Sequence, residues 1–121
     1  MGSELLLQSK YLDKQYTFAM TYTKENIMEL LSAHKETLSS FQVKRIGLFG
    51  SFQKKMNRDS SDIDLLVEFH PEQKTFKNYT GTYLFLKDVL QKDIDFLTPE
   101  SLSPYIGPHI LKDVEYVAIS D

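Results

Sequence analysis

Two aspartates two residues apart, Asp62 and Asp64, open an apolar run, Leu65-Leu66-Val67, that reads as a buried strand. In a strand, residues i and i+2 share a face and lie roughly 6–7 Å apart along the chain. Ile63, between them, points to the opposite face. Two bare carboxylates at that separation repel by about 3 kcal/mol at an effective dielectric near 20. A protein tolerates such a pair where a cation sits between the carboxylates. Paired metals about 3.5–4 Å apart, clamped on phosphate, are a common use of such a pair. A solvated strand start accounts for Asp62 but poorly for Asp64, because Asp is depleted in strands.

Eleven residues before Asp62 stands Ser51, preceded by Gly50 at the end of an apolar stretch. Glycine lets the backbone turn sharply and approach a ligand closely. Free backbone N–H groups at a helical turn favour an anion, and a serine hydroxyl adds a donor for a phosphate oxygen. Taken alone, Gly50-Ser51 is also what an ordinary turn looks like. Asp93-Ile94-Asp95 repeats the i, i+2 spacing at another strand start, and phase alone does not choose between its two carboxylates. Lys54, Lys55 and Arg58 form a basic cluster that could neutralise phosphates, meet an acidic partner, or simply be a solvated loop. His34 sits on a helical stripe and reads as packing, while His70 and His109 each neighbour a proline. No histidine pair has metal-ligand spacing, and neither a Walker A loop nor Gly-x-Gly-x-x-Gly occurs.

The elements that must position these residues follow from pattern and punctuation. Thr23 is a good N-cap with Glu25 in the first turn. Ile27, Leu30, Leu31, His34 and Leu38 then make a helical stripe, ending near Ser39-Ser40. Residues 43–49 read as a strand, with Ile46 and Leu48 on one face and Val43 and Phe49 on the other. Residues 52–60 read as a short helical turn and a polar loop. Residues 62–69 form the second strand, with Leu65, Val67 and Phe69 on the face of Ile63. A helix is predicted over 79–91 despite Gly81, then a strand over 94–97. Pro99 begins a short helix containing Leu102, and Pro104, Gly107 and Pro108 break the next stretch into turns. Ile110-Leu111 is a further helical piece, and 114–119 a last short strand. The order predicts an α/β (α+β) fold, a small mixed β-sheet packed against helices.

The 121 residues suffice for one domain. Residues 24–121 are expected to form it. Residues 1–23 read as an N-terminal extension, partly tag-derived at Met1-Gly2-Ser3, that packs on the domain or on a partner. The net charge of −3 argues against a general nucleic-acid coat. Absence of cysteine excludes a disulfide scaffold and fits a cytoplasmic location. No apolar run is long enough to span a membrane.

Three blocks in order carry a specific resemblance: Leu48-Phe49-Gly50-Ser51-Phe52, then Ser61-Asp62-Ile63-Asp64-Leu65-Leu66-Val67-Glu68-Phe69, then Asp95-Phe96-Leu97-Thr98-Pro99-Glu100. They are similar to the minimal nucleotidyltransferase family of the DNA polymerase β-like nucleotidyltransferase superfamily, over roughly residues 25–117. The resemblance implies a polymerase β palm-like fold. It implies that Gly50 and Ser51 hold a triphosphate and that Asp62 and Asp64 bind Mg²⁺. Asp95 is then the third carboxylate, sharing the metal or taking a proton, and ATP is the co-substrate. Asp93 becomes a solvent-facing neighbour. Many family members carry Ala-Arg-Gly-Glu where this chain has Gln53-Lys54-Lys55-Met56. Lys54 keeps the charge of the arginine but loses its bidentate fork.

The resemblance further implies transfer of AMP to a hydroxyl, within a toxin–antitoxin pair whose toxin is a small helical HEPN-domain protein. The chain has no room for the helical substrate domain of larger relatives. Recognition must therefore come from the C-terminal segment, a second copy or a partner. A different class of function is a binding module that neutralises a partner protein by contact, its nucleotide site degenerate.

Overall fold

Residues 22–121 are described in the structure, a computed structural model. The expected extension over 1–23 lies outside the described residues except for Tyr22 and Thr23. Thr23 caps the first helix as its type predicts, Oγ1 accepting from the Asn26 N–H at 3.0 Å. Helix α1 (Lys24–Ala33) buries Ile27 and Leu31. Where the periodicity predicts one helix, the chain breaks at His34 and resumes as α2 (Lys35–Ser40). The break lets the half-buried imidazole pack edge-on against Phe85 while Leu38 stays in the core.

Strand β1 (Val43–Phe49) is followed at once by the one-turn helix α3 (Gly50–Gln53). Strand β2 (Ile63–Phe69) starts one residue after Asp62. Helix α4 (Phe76–Leu90) begins three residues ahead of its expected start, because Thr75 caps it through the Asn78 N–H. Gly81 fits inside α4 because the Phe41 ring occupies the space a Cβ would need. Strand β3 (Ile94–Leu97) has its expected bounds. A 3-10 turn (Pro99–Ser101) ends just before Leu102. Gly107 and Pro108 do not break the chain but start helix α5 (Gly107–Asp113), where proline's missing N–H costs nothing. Strand β4 (Glu115–Ala118) closes the fold.

The four strands form one mixed sheet in the order β3-β2-β1-β4. β1 runs antiparallel to β2 and β4, and β2 runs parallel to β3. Ile46, Leu48, Ile63, Leu65, Val67, Phe96 and Val117 face a core closed by Ile27, Leu31 and Leu38 and by Leu86 and Leu90 of α4. Strict alternation puts Val43 with Phe49. The structure instead puts Val43 in the core, because the β1–β2 register slips between Val43 and Arg45. Phe49, Leu66 and Asp64 belong to the opposite face. The crossovers through α4 and α5 step in opposite directions along the sheet. Right-handed connections therefore put the two helices on opposite faces. Where Gly47 lacks a Cβ, Val114 and Tyr116 fill the space, so the chain leaving α5 lies on the face of Asp64.

Candidate active site

The register brings the predicted carboxylates to one end of the sheet. Asp64 on β2 lies opposite Asp95 on β3 in the parallel ladder, and opposite Phe49 at the end of β1. Asp62 stands just outside β2 and is exposed, as is Asp95, whereas Asp64 is half-buried. Burial first, then the Asp95 and Asp62 carboxylates, push Asp64 from the ordinary 3.8 up to about 6. Three carboxylates thus act on one another, and no cation among the described residues pairs with them. Among the described residues, no three His, Cys, Asp or Glu side chains close on one point tightly enough to hold a metal ion. The donor chemistry nevertheless fits a hard divalent cation: oxygen ligands only, with mutual repulsion that a cation would relieve.

Gly50 touches this site directly. Its φ is +74°, a left-handed conformation that favours glycine. A Cβ there would lie 2.0 Å from Asp64 Oδ2. Glycine is therefore required twice, by the backbone turn and by the carboxylate seated against it. Ser51 follows, half-buried, with its carbonyl held by the Met56 N–H at 2.8 Å. Among the described residues, no hydrogen bond engages the Ser51 hydroxyl, and no acidic group pairs with Lys54. Both are free to meet a ligand.

The basic cluster divides. Lys55 adopts φ +59°, a left-handed conformation that favours glycine, and its ammonium pairs with Glu25 at 2.9 Å. Lys54 is exposed and stands three residues after Ser51. The Arg58 backbone N–H donates to Ser61 Oγ, closing the loop before Asp62. Asp93 is exposed, outside β3, and 3.5 Å from Lys87. An open cleft of about 510 Å³ borders Asp62 and is lined by Lys87, Lys92 and Asp93 among others. It flanks the carboxylates rather than containing Asp64, Asp95 or the Gly50 turn.

The residues that sequence reasoning did not single out are those that hold the turn. Glu115 of β4 accepts from Gln53 Nε2 at 3.2 Å and pairs with Lys24 through the same oxygen. The Asn57 side chain donates to the Tyr22 carbonyl at 3.4 Å. The available signal is Gln53 itself, a long polar side chain two residues after Ser51.

Comparison with known proteins gives a consistent result. Residues 27–117 match the family model described as a nucleotidyltransferase domain. A candidate protein adenylyltransferase of Methanocaldococcus jannaschii is 35% identical over 98 residues, covering 78% of this chain and 98% of the relative. The protein adenylyltransferase MntA of Thermococcus cleftensis is 33% identical over 96 residues, covering 78% and 96%. A solved structure of a candidate minimal nucleotidyltransferase superposes with a TM-score of 0.59 at 27% identity, covering 73% of this chain and 93% of that one. A toxin–antitoxin crystal structure with AMP-PNP superposes with a TM-score of 0.55 at 20% identity, covering 78% and 72%, a likeness of fold.

Proposed function

The chain belongs to the nucleotidyltransferase domain family and is a nucleotidyltransferase, and from that premise we propose that it transfers AMP from ATP to a hydroxyl of a partner protein. The observation that carries this reading is Gly50 seated against Asp64, with Asp95 opposite, at one end of the sheet. That arrangement sets a tight glycine turn beside the carboxylates.

In this reading the domain is residues 24–121. Ser51 donates to a triphosphate oxygen and Lys54 neutralises its outer charge. Asp62, Asp64 and Asp95 would hold Mg²⁺, which when bound lowers the charge on the triphosphate and favours the developing negative charge in transfer. The acceptor oxygen forms a bond to the α-phosphorus. The bond to the oxygen bridging the β-phosphate breaks, and pyrophosphate leaves with the electron pair. Asp95, solvent-exposed at the strand start, takes the hydroxyl proton as it is released.

The partner is proposed to be the toxin of a toxin–antitoxin pair, a small helical HEPN-domain protein, with this chain as antitoxin. The names of its relatives, protein adenylyltransferases, and the AMP-PNP-bound toxin–antitoxin neighbour support this. No helix of the described residues is long and apolar enough to cross a membrane. Incubation with labelled ATP, Mg²⁺ and the co-encoded neighbour protein tests the reading. Label should pass to the neighbour with the unsubstituted chain. Equal transfer by an Asp62→Ala/Asp64→Ala protein would remove the assignment.

One observation favours a second reading. Lys55 is tied to Glu25 in a backbone conformation better suited to glycine, and no glutamate stands at position 56. A chain with a degenerate nucleotide turn could neutralise its partner by contact alone. A folded Asp62→Ala/Asp64→Ala protein that still neutralises the partner is the outcome this second reading expects.

A further inference from the structure

Gln53 ends the one-turn helix that begins at Gly50, two residues after Ser51 and one before Lys54. Its side chain carries a cost. Oε1 is sealed from solvent with no donor among the described residues, and a buried unsatisfied acceptor is unfavourable. Reversing the amide brings no relief, because Oε1 would then face the Glu115 carboxylate that Nε2 now serves at 3.2 Å. A methionine of similar length would fill the same space with no orphaned oxygen. Packing alone therefore does not account for a glutamine here, whereas the bond to Glu115 does.

That bond joins three elements. Glu115 is fixed by the sheet, opposite Leu48 in the β1–β4 ladder. The same carboxylate oxygen takes Lys24 from the first turn of α1, and Lys24 is mostly buried. Two further contacts come from the same short stretch: Glu25 pairs with Lys55, and the Tyr22 carbonyl accepts from Asn57. Residues 22–25 and Glu115 thus hold residues 53–57, while the side chains of Ser51 and Lys54 have no partner among the described residues.

We propose that Gln53, acting through Glu115, is a positioning residue that holds the Ser51–Lys54 turn in the geometry that receives a nucleotide triphosphate. This rests on the transfer reading above. Gln53 touches no reacting atom. Its role is to remove the cost of ordering the turn when the ligand arrives, the usual gain from preorganisation.

The test compares MgATP affinity, by calorimetry, with the thermal unfolding midpoint of each protein. Gln53→Met should keep or raise the midpoint, since the orphaned oxygen is gone, and yet weaken MgATP about tenfold, the size of one hydrogen bond to a charged group. Glu115→Gln should weaken MgATP to a similar degree. The double variant Gln53→Glu/Glu115→Gln, which restores an amide–carboxylate pair with the roles exchanged, should recover most of the affinity. Unchanged affinity in Gln53→Met and Glu115→Gln overturns the proposal. So does an affinity loss in Gln53→Met that follows a loss of midpoint, because that is what a merely structural residue gives. If the unsubstituted chain does not bind MgATP, the transfer reading itself fails, and the positioning role with it.

Discussion

The carboxylate end of the sheet and the basic turn beside it are built on different principles. Asp64 and Asp95 are placed by strand periodicity and by the parallel ladder between β2 and β3. Their neighbours in sequence, Leu65-Leu66-Val67 and Phe96, are buried and fix the phase. The turn from Gln53 to Asn57 has no such local rule. Its shape is imposed by Tyr22, Lys24, Glu25 and Glu115, from two distant parts of the chain. One region carries repulsion that a ligand would relieve; in the other the protein itself pairs Lys55 with Glu25, while Lys54 has no acidic partner among the described residues. The candidate carboxylates thus sit on the sheet, and the long-range side-chain contacts gather at the turn.

The largest expected effect separates activity from stability at the carboxylates. Asp64→Asn should lower AMP transfer on the order of 10²–10³-fold, the scale of losing a group that balances charge in the transition state. The same change should not destabilise the metal-free protein at neutral pH. Asp64 titrates at about 6 in the folded protein, above its ordinary 3.8. The folded state therefore holds a proton that the unfolded chain gives up between those values. That contribution is full below the unfolded pKa and is lost as pH rises through about 6. Urea melts of the metal-free protein should show about 1 kcal/mol lost across this window, after allowance for solvent screening of a half-buried group. Asp64→Asn should flatten that dependence.

Gly50→Ala comes next, since Gly50 is where the two regions touch. A methyl group meets Asp64 Oδ2 at 2.0 Å and the backbone φ is +74°. A stability loss of about 2 kcal/mol or more is expected from strain and displacement together, with loss of MgATP binding. Denaturant melts and calorimetry check both parts.

How much of this was legible before the structure differs between the regions. The strands over 43–49 and 94–97, and the face shared by Ile63, Leu65, Val67 and Phe69, follow from alternation and turn residues. Gly50, Ser51, Asp62, Asp64 and Asp95 were candidates from spacing and from family resemblance. Alternation puts Val43 on the wrong face because a register slip leaves no mark in an alternation pattern. The start of α5 was hidden because Gly107-Pro108 punctuates a helix start as readily as a turn. The Glu115–Gln53–Lys24 junction was not legible at all. Its members are separated by up to 91 residues, and no local rule links them.

Smallest is the effect expected at Lys55, a non-glycine residue in a left-handed conformation. Lys55→Gly relieves a left-handed conformation at φ +59° but removes the pair with Glu25. Both partners are mostly exposed, so the pair is worth little. A net gain of about 0.5 kcal/mol is expected in denaturant melts. A loss larger than that would show the Glu25 contact to be a structural clasp and would blur the distinction between the two regions.

The most direct measurement is mass spectrometry of the co-encoded neighbour protein after co-expression with this chain, unsubstituted or carrying Asp64→Ala. The account predicts an AMP adduct on a hydroxyl side chain of the neighbour with the unsubstituted chain and none with Asp64→Ala. An equal adduct in both, or full neutralisation of the neighbour with an adduct in neither, would contradict it.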